Sequence, residues 1–203
     1  MITFRIANML EHGILQSQIL ALTFTNKAAR EMTTRVKELT QLKLQNLTVS
    51  TFHSFGVQLL RKYIHLLGWR ENFSIYDETD KGQLIKECGR ELKFSPDALN
   101  IYELSALFSQ IKGGVKDWNS ASLPFKHLFD EYQHNLKLFN AVDFDDLILL
   151  PIKILQNNPD VLEEVKSRYK YIMVDEFQDT SLQQYYFMRL LVDKNICVVG
   201  DDD

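Results

Sequence analysis

Two adjacent carboxylates, Asp175 and Glu176, follow a short apolar run within the segment 174–180, which reads VDEFQDT. The apolar run predicts a buried strand, and open α/β sheets bind ligands beyond the carboxyl ends of their strands. In nucleotide hydrolases the first acid of such a pair holds Mg²⁺, usually through water, and the second orients or deprotonates the attacking water. Asp175 and Glu176 are candidates for these two roles. The alternative is a helix N-terminus, where the macrodipole favours acidic residues.

A second acidic segment follows the apolar run 196–199 and reads GDDD over 200–203. Glycine allows a tight turn there, and an acid at a strand end can reach Mg²⁺ or a phosphate environment. Asp201 is the candidate for this role, whereas Asp202 and Asp203 have the alternative of an ordinary solvated chain end. The sequence contains no Gly-x-x-x-x-Gly-Lys-Ser/Thr, so its residues do not include a phosphate-cradling P-loop.

Hydroxyl, amide and imidazole groups follow two further apolar runs, in TFTNK over 23–27 and STFHS over 50–54. Such groups can donate hydrogen bonds to a phosphodiester backbone, assisted by a helix N-terminus. The alternative is helix capping by the hydroxyls, with the phenylalanines in the core and a structural histidine; capping and phosphate contact are compatible. The candidate nucleic-acid contacts are Phe24, Thr25, Asn26, Lys27, Thr51, Phe52 and His53.

An aromatic residue flanked by acids stands in the segment 143–147, which reads DFDDL. Asp145 and Asp146 suit the N-terminus of a helix that continues through the following apolar residues. Phe144 is either a platform on which a base stacks or a hydrophobic staple residue that packs at the start of that helix.

The elements that must position these residues alternate between strand and helix. Near-continuous apolar runs, typical of parallel strands covered on both faces, occur at 19–24, 47–51, 171–174 and 196–199. Amphipathic patterns over 27–39, 55–67 and 181–192 predict helices, the last with Thr180 as N-cap and Gln183 completing a capping box. The sequence therefore predicts an α/β fold with a parallel sheet and flanking helices, whose strand ends share one edge.

The middle of the chain has a different pattern. Between 77 and 142 we find helix signals without a convincing strand, including a cap at Asp77 or Thr79 and a helix start at Ser95-Pro96. We therefore expect an all-helical inserted subdomain over 77–142, between two parts of one α/β domain at 1–76 and 143–203.

Composition narrows the class of protein. The chain has 203 residues, 45% hydrophobic and 25% charged, which disfavours disorder, collagen and coiled coil. Its apolar runs are too short to cross a bilayer, and two cysteines make no disulfide framework, so we expect a cytoplasmic protein without a membrane partner. The net charge of −4 argues against strong nonspecific DNA binding but is compatible with a local basic groove.

Five motifs in one order carry a family resemblance: TFTNKAAREM (23–32), STFHS (50–54), DFDDL (143–147), DEFQD (175–179) and GDDD (200–203). The series resembles the Rep/UvrD/PcrA group of superfamily 1 DNA helicases, the Rep type most closely, over essentially the whole chain. The resemblance implies a truncated RecA-like motor domain of P-loop NTPase fold, called 1A, with a helical subdomain 1B. It also implies 3′-to-5′ translocation on single-stranded DNA and unwinding at duplex junctions, using ATP and Mg²⁺.

The resemblance assigns roles position by position. Asp175 matches the Mg²⁺-binding acid and Glu176 the catalytic base, while Gln178 and Asp179 match residues that couple the nucleotide site to its surroundings. With Asp201 at the end of the last strand, Gln178 is a further candidate for the nucleotide site. The segments 24–27 and 51–53 match two single-strand contact motifs, and Phe144 matches an aromatic used against bases.

The resemblance also implies missing parts. The first residues match the helix after the family's P-loop, so the P-loop and the second motor domain with its arginine finger are expected to lie outside this chain. We therefore expect a helicase portion that does not turn over ATP alone. Two alternatives stay open: a non-enzymatic remnant that binds single-stranded DNA, and the motor domain of a nuclease-helicase subunit.

Overall fold

The computed structural model describes residues 1–119 and 122–201. Asp202 and Asp203 lie outside these ranges. The chain forms two compact units, one of Met1–Gln58 with Ile152–Asp203 and the other of Leu59–Pro151. Within the described residues, no helix combines the length and apolarity that crossing a membrane requires.

The strands and helices are numbered in chain order. The strands are β1 (Ile19–Thr23), β2 (Thr48–Thr51), β3 (Ser74–Tyr76), β4 (Ala141–Asp143), β5 (Tyr171–Val174) and β6 (Asn195–Val198). The helices are α1 (Ile2–Glu11), α2 (Asn26–Thr40), α3 (Phe52–Tyr63), α4 (Glu78–Glu91), α5 (Ile101–Lys112), α6 (Lys126–Leu138), α7 (Asp146–Asn157), α8 (Pro159–Arg168) and α9 (Leu182–Leu191).

The first unit contains a parallel sheet of strand order β2-β1-β5-β6. All five residues of β1 are buried, as expected for an inner strand covered on both faces. Residues of α1 and α2, including Ile6, Met32 and Val36, pack with β1 in one apolar cluster. The predicted α/β fold with a parallel sheet is confirmed, and the four predicted strands agree with the observed bounds to within one residue.

The start of α9 differs from the sequence prediction by one residue. Ser181, rather than Thr180, is the N-cap, and Gln184, rather than Gln183, completes the capping box. Both pairs have the same spacing in the sequence, so the motif alone does not choose between them. Thr180 instead ends a short 3₁₀ turn over Phe177–Asp179.

The second unit is mainly helical. Helices α4, α5 and α6 enclose an apolar core in which Ile85, Phe108, Leu128 and Tyr132 are fully buried. Asp77 caps α4 in a capping box with Asp80, at one of the two positions that the sequence offered.

A small parallel sheet of β3 and β4 also lies in the second unit and was not predicted. Ala141 and Val142 of β4 fall within the range expected to contain helices only, so that expectation is wrong at its end. Strands of three residues are too short to show a periodicity, which explains why the pattern did not reveal them.

Candidate functional site

The carboxyl ends of the four strands in the first unit meet at one edge of the sheet. Because every pairing is parallel and in close register, the residues that follow β1, β2, β5 and β6 lie along this edge. We call it the carboxyl edge, and it carries Thr25, Thr51, Asp175 and Asp201. The predicted convergence of these four positions is confirmed.

The acidic pair begins where β5 ends. The Asp175 amide donates to the carbonyl of Leu22 at 3.0 Å, which continues the pairing with β1. Burial, followed by the neighbouring charge of Glu176, raises the pKa of the Asp175 carboxyl. Glu176 leaves the extended conformation, with φ 51° and ψ 47°. This left-handed conformation costs a residue other than glycine ~1–2 kcal/mol, and such strain concentrates at functional sites.

Gln178 links Glu176 to the end of β6. Its side-chain amide donates to Oε2 of Glu176 at 2.7 Å, and its Oε1 accepts the Asp201 amide at 3.2 Å. A Cβ at position 200 would lie 2.5 Å from Oε1 of Gln178 and 3.2 Å from the Phe177 amide nitrogen. Close approach of the Gln178 side chain and the Phe177 backbone therefore favours glycine at this position, whereas its backbone is outside the left-handed region and does not itself demand glycine.

Polar side chains connect the starts of α2 and α3. Oγ1 of Thr25 accepts the Ala28 amide at 3.0 Å, and Oγ1 of Thr51 accepts the Ser54 amide at 3.1 Å. Ser54 in turn donates to the side chain of Asn26 at 3.5 Å. The capping alternative is thus correct for both threonines. It also brings two helix N-termini together, which is an arrangement that favours an anion.

The remaining candidates of this edge differ in exposure. The Lys27 side chain is 86% exposed, and His53 is half-buried beside Thr51. Phe52 is 1% exposed and its ring lies 6.1 Å from that of half-buried Phe24, in an edge-to-face contact. The Phe52 side chain is therefore a core residue that supports Phe24, and its candidacy as a direct nucleic-acid contact is not supported by its position.

Phe144 belongs to the second unit, in the turn between β4 and α7, and is 46% exposed. Asp146 begins α7, as its acidic character suggested, but Asp143 and Asp146 are both buried. Lys112 supplies the charge that balances them, with Nζ 2.8 Å from Oδ1 of Asp143 and 2.7 Å from Oδ1 of Asp146. Sequence reasoning missed this lysine.

The carboxylates of Asp175 and Glu176 are hard oxygen donors of the kind that Mg²⁺ prefers, so the residue types fit that ion. Among the described residues, no group of three or more His, Cys, Asp and Glu side chains is placed to hold a metal ion.

Comparison with known proteins identifies the family. The sequence model described as the UvrD/REP helicase N-terminal domain matches residues 1–203. The chain is 38% identical over its full length to the ATP-dependent DNA helicase Rep of Escherichia coli, of which it covers 32%. The same identity and full coverage of this chain hold for UvrD1 of Mycobacterium tuberculosis and PcrA of Staphylococcus aureus, both named ATP-dependent DNA helicases, of which it covers 29%. The chain thus spans about a third of the length of the curated relatives it matches. With the parallel sheet, the motifs at its carboxyl edge and a family match along the entire sequence, the chain belongs to the UvrD/REP helicase N-terminal domain family.

Proposed function

We propose that this chain forms the first motor domain of an ATP-dependent DNA helicase that moves 3′ to 5′ on single-stranded DNA and unwinds duplex junctions. In this proposal the motor domain comprises 1–76 and 143–203 and the helical subdomain comprises 77–142, so that 59–76 and 143–151 of the motor domain lie within the second compact unit. The observation that carries the proposal is the convergence of four of the five family motifs on the carboxyl edge of one parallel sheet. The helicase activity named for the relatives supports it.

The acidic end of the carboxyl edge is the nucleotide side. When bound, ATP would supply the phosphoryl group, and Mg²⁺ would supply positive charge that stabilises the transfer of this group. Asp175 would hold the ion. Burial opposes ionisation of the Asp175 carboxyl and raises its pKa, and the charge of a bound cation would favour the ionised form. Glu176 would accept the proton of the attacking water. Gln178 orients the Glu176 carboxylate by donating to it, and the Asp201 amide holds Gln178 in turn by donating to its Oε1.

The polar end of the same edge is the DNA side. Phosphates of a single strand are contacted by Thr25, Asn26, Thr51 and His53, together with the N-termini of α2 and α3. Exposed Lys27 adds a positive charge. Aromatic faces bind single strands by stacking on bases. Phe24 supplies such a face at this edge. In the second unit, half-exposed Phe144 is a separate candidate for base stacking.

Fluorescence anisotropy with a labelled oligo-dT strand tests the DNA assignment. Asn26→Ala removes one phosphate contact, and we expect affinity to fall about fivefold, the equivalent of ~1 kcal/mol. Asn195→Ala is the matched control, because Asn195 begins β6 at the opposite edge of the sheet. Equal affinities of the two variants would contradict the assignment.

The salt dependence of the same binding tests the role of Lys27. Lys27→Met should lower the slope of log affinity against log salt by about 0.7, the amount expected for one lost phosphate contact on a single strand. An unchanged slope would show that Lys27 does not contact a DNA phosphate.

A further inference from the structure

Phe144 lies in a turn whose two ends are tied to each other. The Asp146 amide donates to Oδ1 of Asp143 at 3.0 Å, and the Asp143 amide donates to Oδ2 of Asp146 at 3.2 Å. The Leu147 amide donates to the Phe144 carbonyl at 3.3 Å. This reciprocal pairing closes the backbone around Phe144.

The first anchor of the turn is Lys112, near the end of α5. Its Nζ lies 2.8 Å from both carboxylate oxygens of Asp143 and 2.7 Å from Oδ1 of Asp146. Burial opposes the Lys112 charge, but Asp146 and Asp143 outweigh it and raise the pKa of this lysine, so it stays protonated. Tyr132 of α6 adds a hydrogen bond of 2.7 Å to Oδ2 of Asp143.

The second anchor lies on the other side of Phe144. Lys81 of α4, which is 2% exposed, donates to Oδ2 of Asp145 at 3.1 Å and to Oγ of Ser109 at 2.7 Å. Ser109 of α5 donates to the same Asp145 oxygen at 2.6 Å. Three helices thus hold the residues before and after Phe144, while Phe144 itself remains 46% exposed.

We propose that Lys112, acting through Asp143 and Asp146, and Lys81, acting with Ser109 through Asp145, are positioning residues that hold Phe144 in its base-stacking orientation. The inference rests on the proposed binding of single-stranded DNA. Neither lysine is itself a DNA contact, because the side chains of Lys112 and Lys81 are 5% and 2% exposed. Both act by preorganising an aromatic platform, which reduces the ordering cost of binding.

Replacing a buried lysine could prevent the chain from folding. Each anchor is therefore tested by a smaller substitution at a residue that hydrogen-bonds to it. Ser109→Ala loosens the Asp145 anchor. Its matched control is Ser105→Ala on the same helix, since the Ser105 hydroxyl donates to Glu78 at 2.9 Å, away from this turn.

Tyr132→Phe loosens the Asp143 anchor by removing one hydrogen bond. Its matched control is Tyr169→Phe, because buried Tyr169 shares a 3.2 Å hydrogen bond with Thr48 in the other unit. Each of the four variants is made in the 203-residue chain and again in the Phe144→Ala background.

Binding is measured by anisotropy with oligo-dT carrying one 2-aminopurine, whose fluorescence is quenched by stacking. Phe144→Ala should weaken binding about 5- to 150-fold, the equivalent of ~1–3 kcal/mol. Ser109→Ala and Tyr132→Phe should each weaken it at least about twofold and reduce the quenching, with no change in the salt slope. Neither should weaken binding further once Phe144 is alanine.

The proposal is overturned if either variant matches its control, or if its loss persists in the Phe144→Ala background. An altered salt slope would also overturn it, because that result would make an anchor residue part of the phosphate interface. If the unmodified chain binds no single strand, the proposed function fails as well. If it binds and Phe144→Ala changes nothing, the proposed binding at the carboxyl edge stands, whereas the stacking role of Phe144 and the positioning role of its anchors are both lost.

Discussion

Replacing Lys112 by methionine removes the cation that contacts two buried carboxylates, Asp143 and Asp146. The side chains of Asp143 and Asp146 are 1% and 7% exposed, so solvent cannot take over the neutralisation. Breaking a buried ion pair by removing one partner costs about 3–5 kcal/mol. That is a large share of the ~5–15 kcal/mol that stabilises a typical domain.

The expected cost depends on pH. Burial, with a contribution from Asp143 and against the attraction of Lys112, raises the pKa of Asp146 to about 6. Lys112 helps to hold the pKa of Asp143 below its usual value and limits the rise at Asp146, so loss of Lys112 raises the pKa of both acids. Proton uptake by the acids at low pH then reduces the uncompensated charge in the variant. We therefore expect a destabilisation near the upper end of the range at pH 8 and near its lower end at pH 5.

Urea unfolding followed by tryptophan fluorescence measures this effect where it occurs, because both tryptophans, Trp69 and Trp118, lie in the second unit. Lys86→Met, at an exposed position of α4, is the matched control and should change the free energy of unfolding by less than about 0.5 kcal/mol. A Lys112→Met chain as stable as this control at pH 8 would refute the reasoning about the buried charges.

Three further results are expected. As the pH falls from 7 to 5, the native state takes up a proton on Asp146 that the unfolded state, with its pKa near 3.8, does not, so the free energy of unfolding should rise by about 1 kcal/mol. In denaturant titrations Asp146→Asn should lack this gain, and an identical pH profile would contradict it. Gly200→Ala should lower stability by about 1 kcal/mol in thermal unfolding, because its Cβ displaces the Gln178 side chain from the Asp201 amide; an unchanged Tm would contradict the close approach. The 203-residue chain should release no phosphate from ATP with or without single-stranded DNA, because phosphoryl transfer depends on positioning and charge that a P-loop lysine and an arginine finger supply. DNA-stimulated release in a phosphate assay would contradict this expectation.

The parallel sheet was predictable because inner parallel strands carry uninterrupted apolar runs, as in Ile19–Thr23. The shared edge followed from the parallel arrangement alone. The small sheet of β3 and β4 was not predictable, since three residues do not define a period. The exact cap of α9 was not predictable either, because two overlapping capping boxes fit the same residues.

The candidate site was predictable where neighbours in sequence act together, as with Asp175 and Glu176. The anchors of Phe144 were not. Lys81 and Lys112 lie on helices far from Asp143–Asp146 in sequence, and lysine is seldom buried unless it is paired. The charge pattern of the DFDDL segment therefore suggested an exposed helix start, whereas the fold buries two of its acids and supplies cations from α4 and α5.

Photo-crosslinking with a single strand containing 5-iododeoxyuridine, followed by mass spectrometry of the peptides, tests the central claim most directly. It reports which residues of the unmodified chain touch DNA. Our account predicts crosslinks in the peptides that carry Phe24–Lys27, Thr51–His53 and Phe144, and their loss as salt rises. Crosslinks confined to the opposite edge of the sheet, near Lys170 and Asn195, would contradict it.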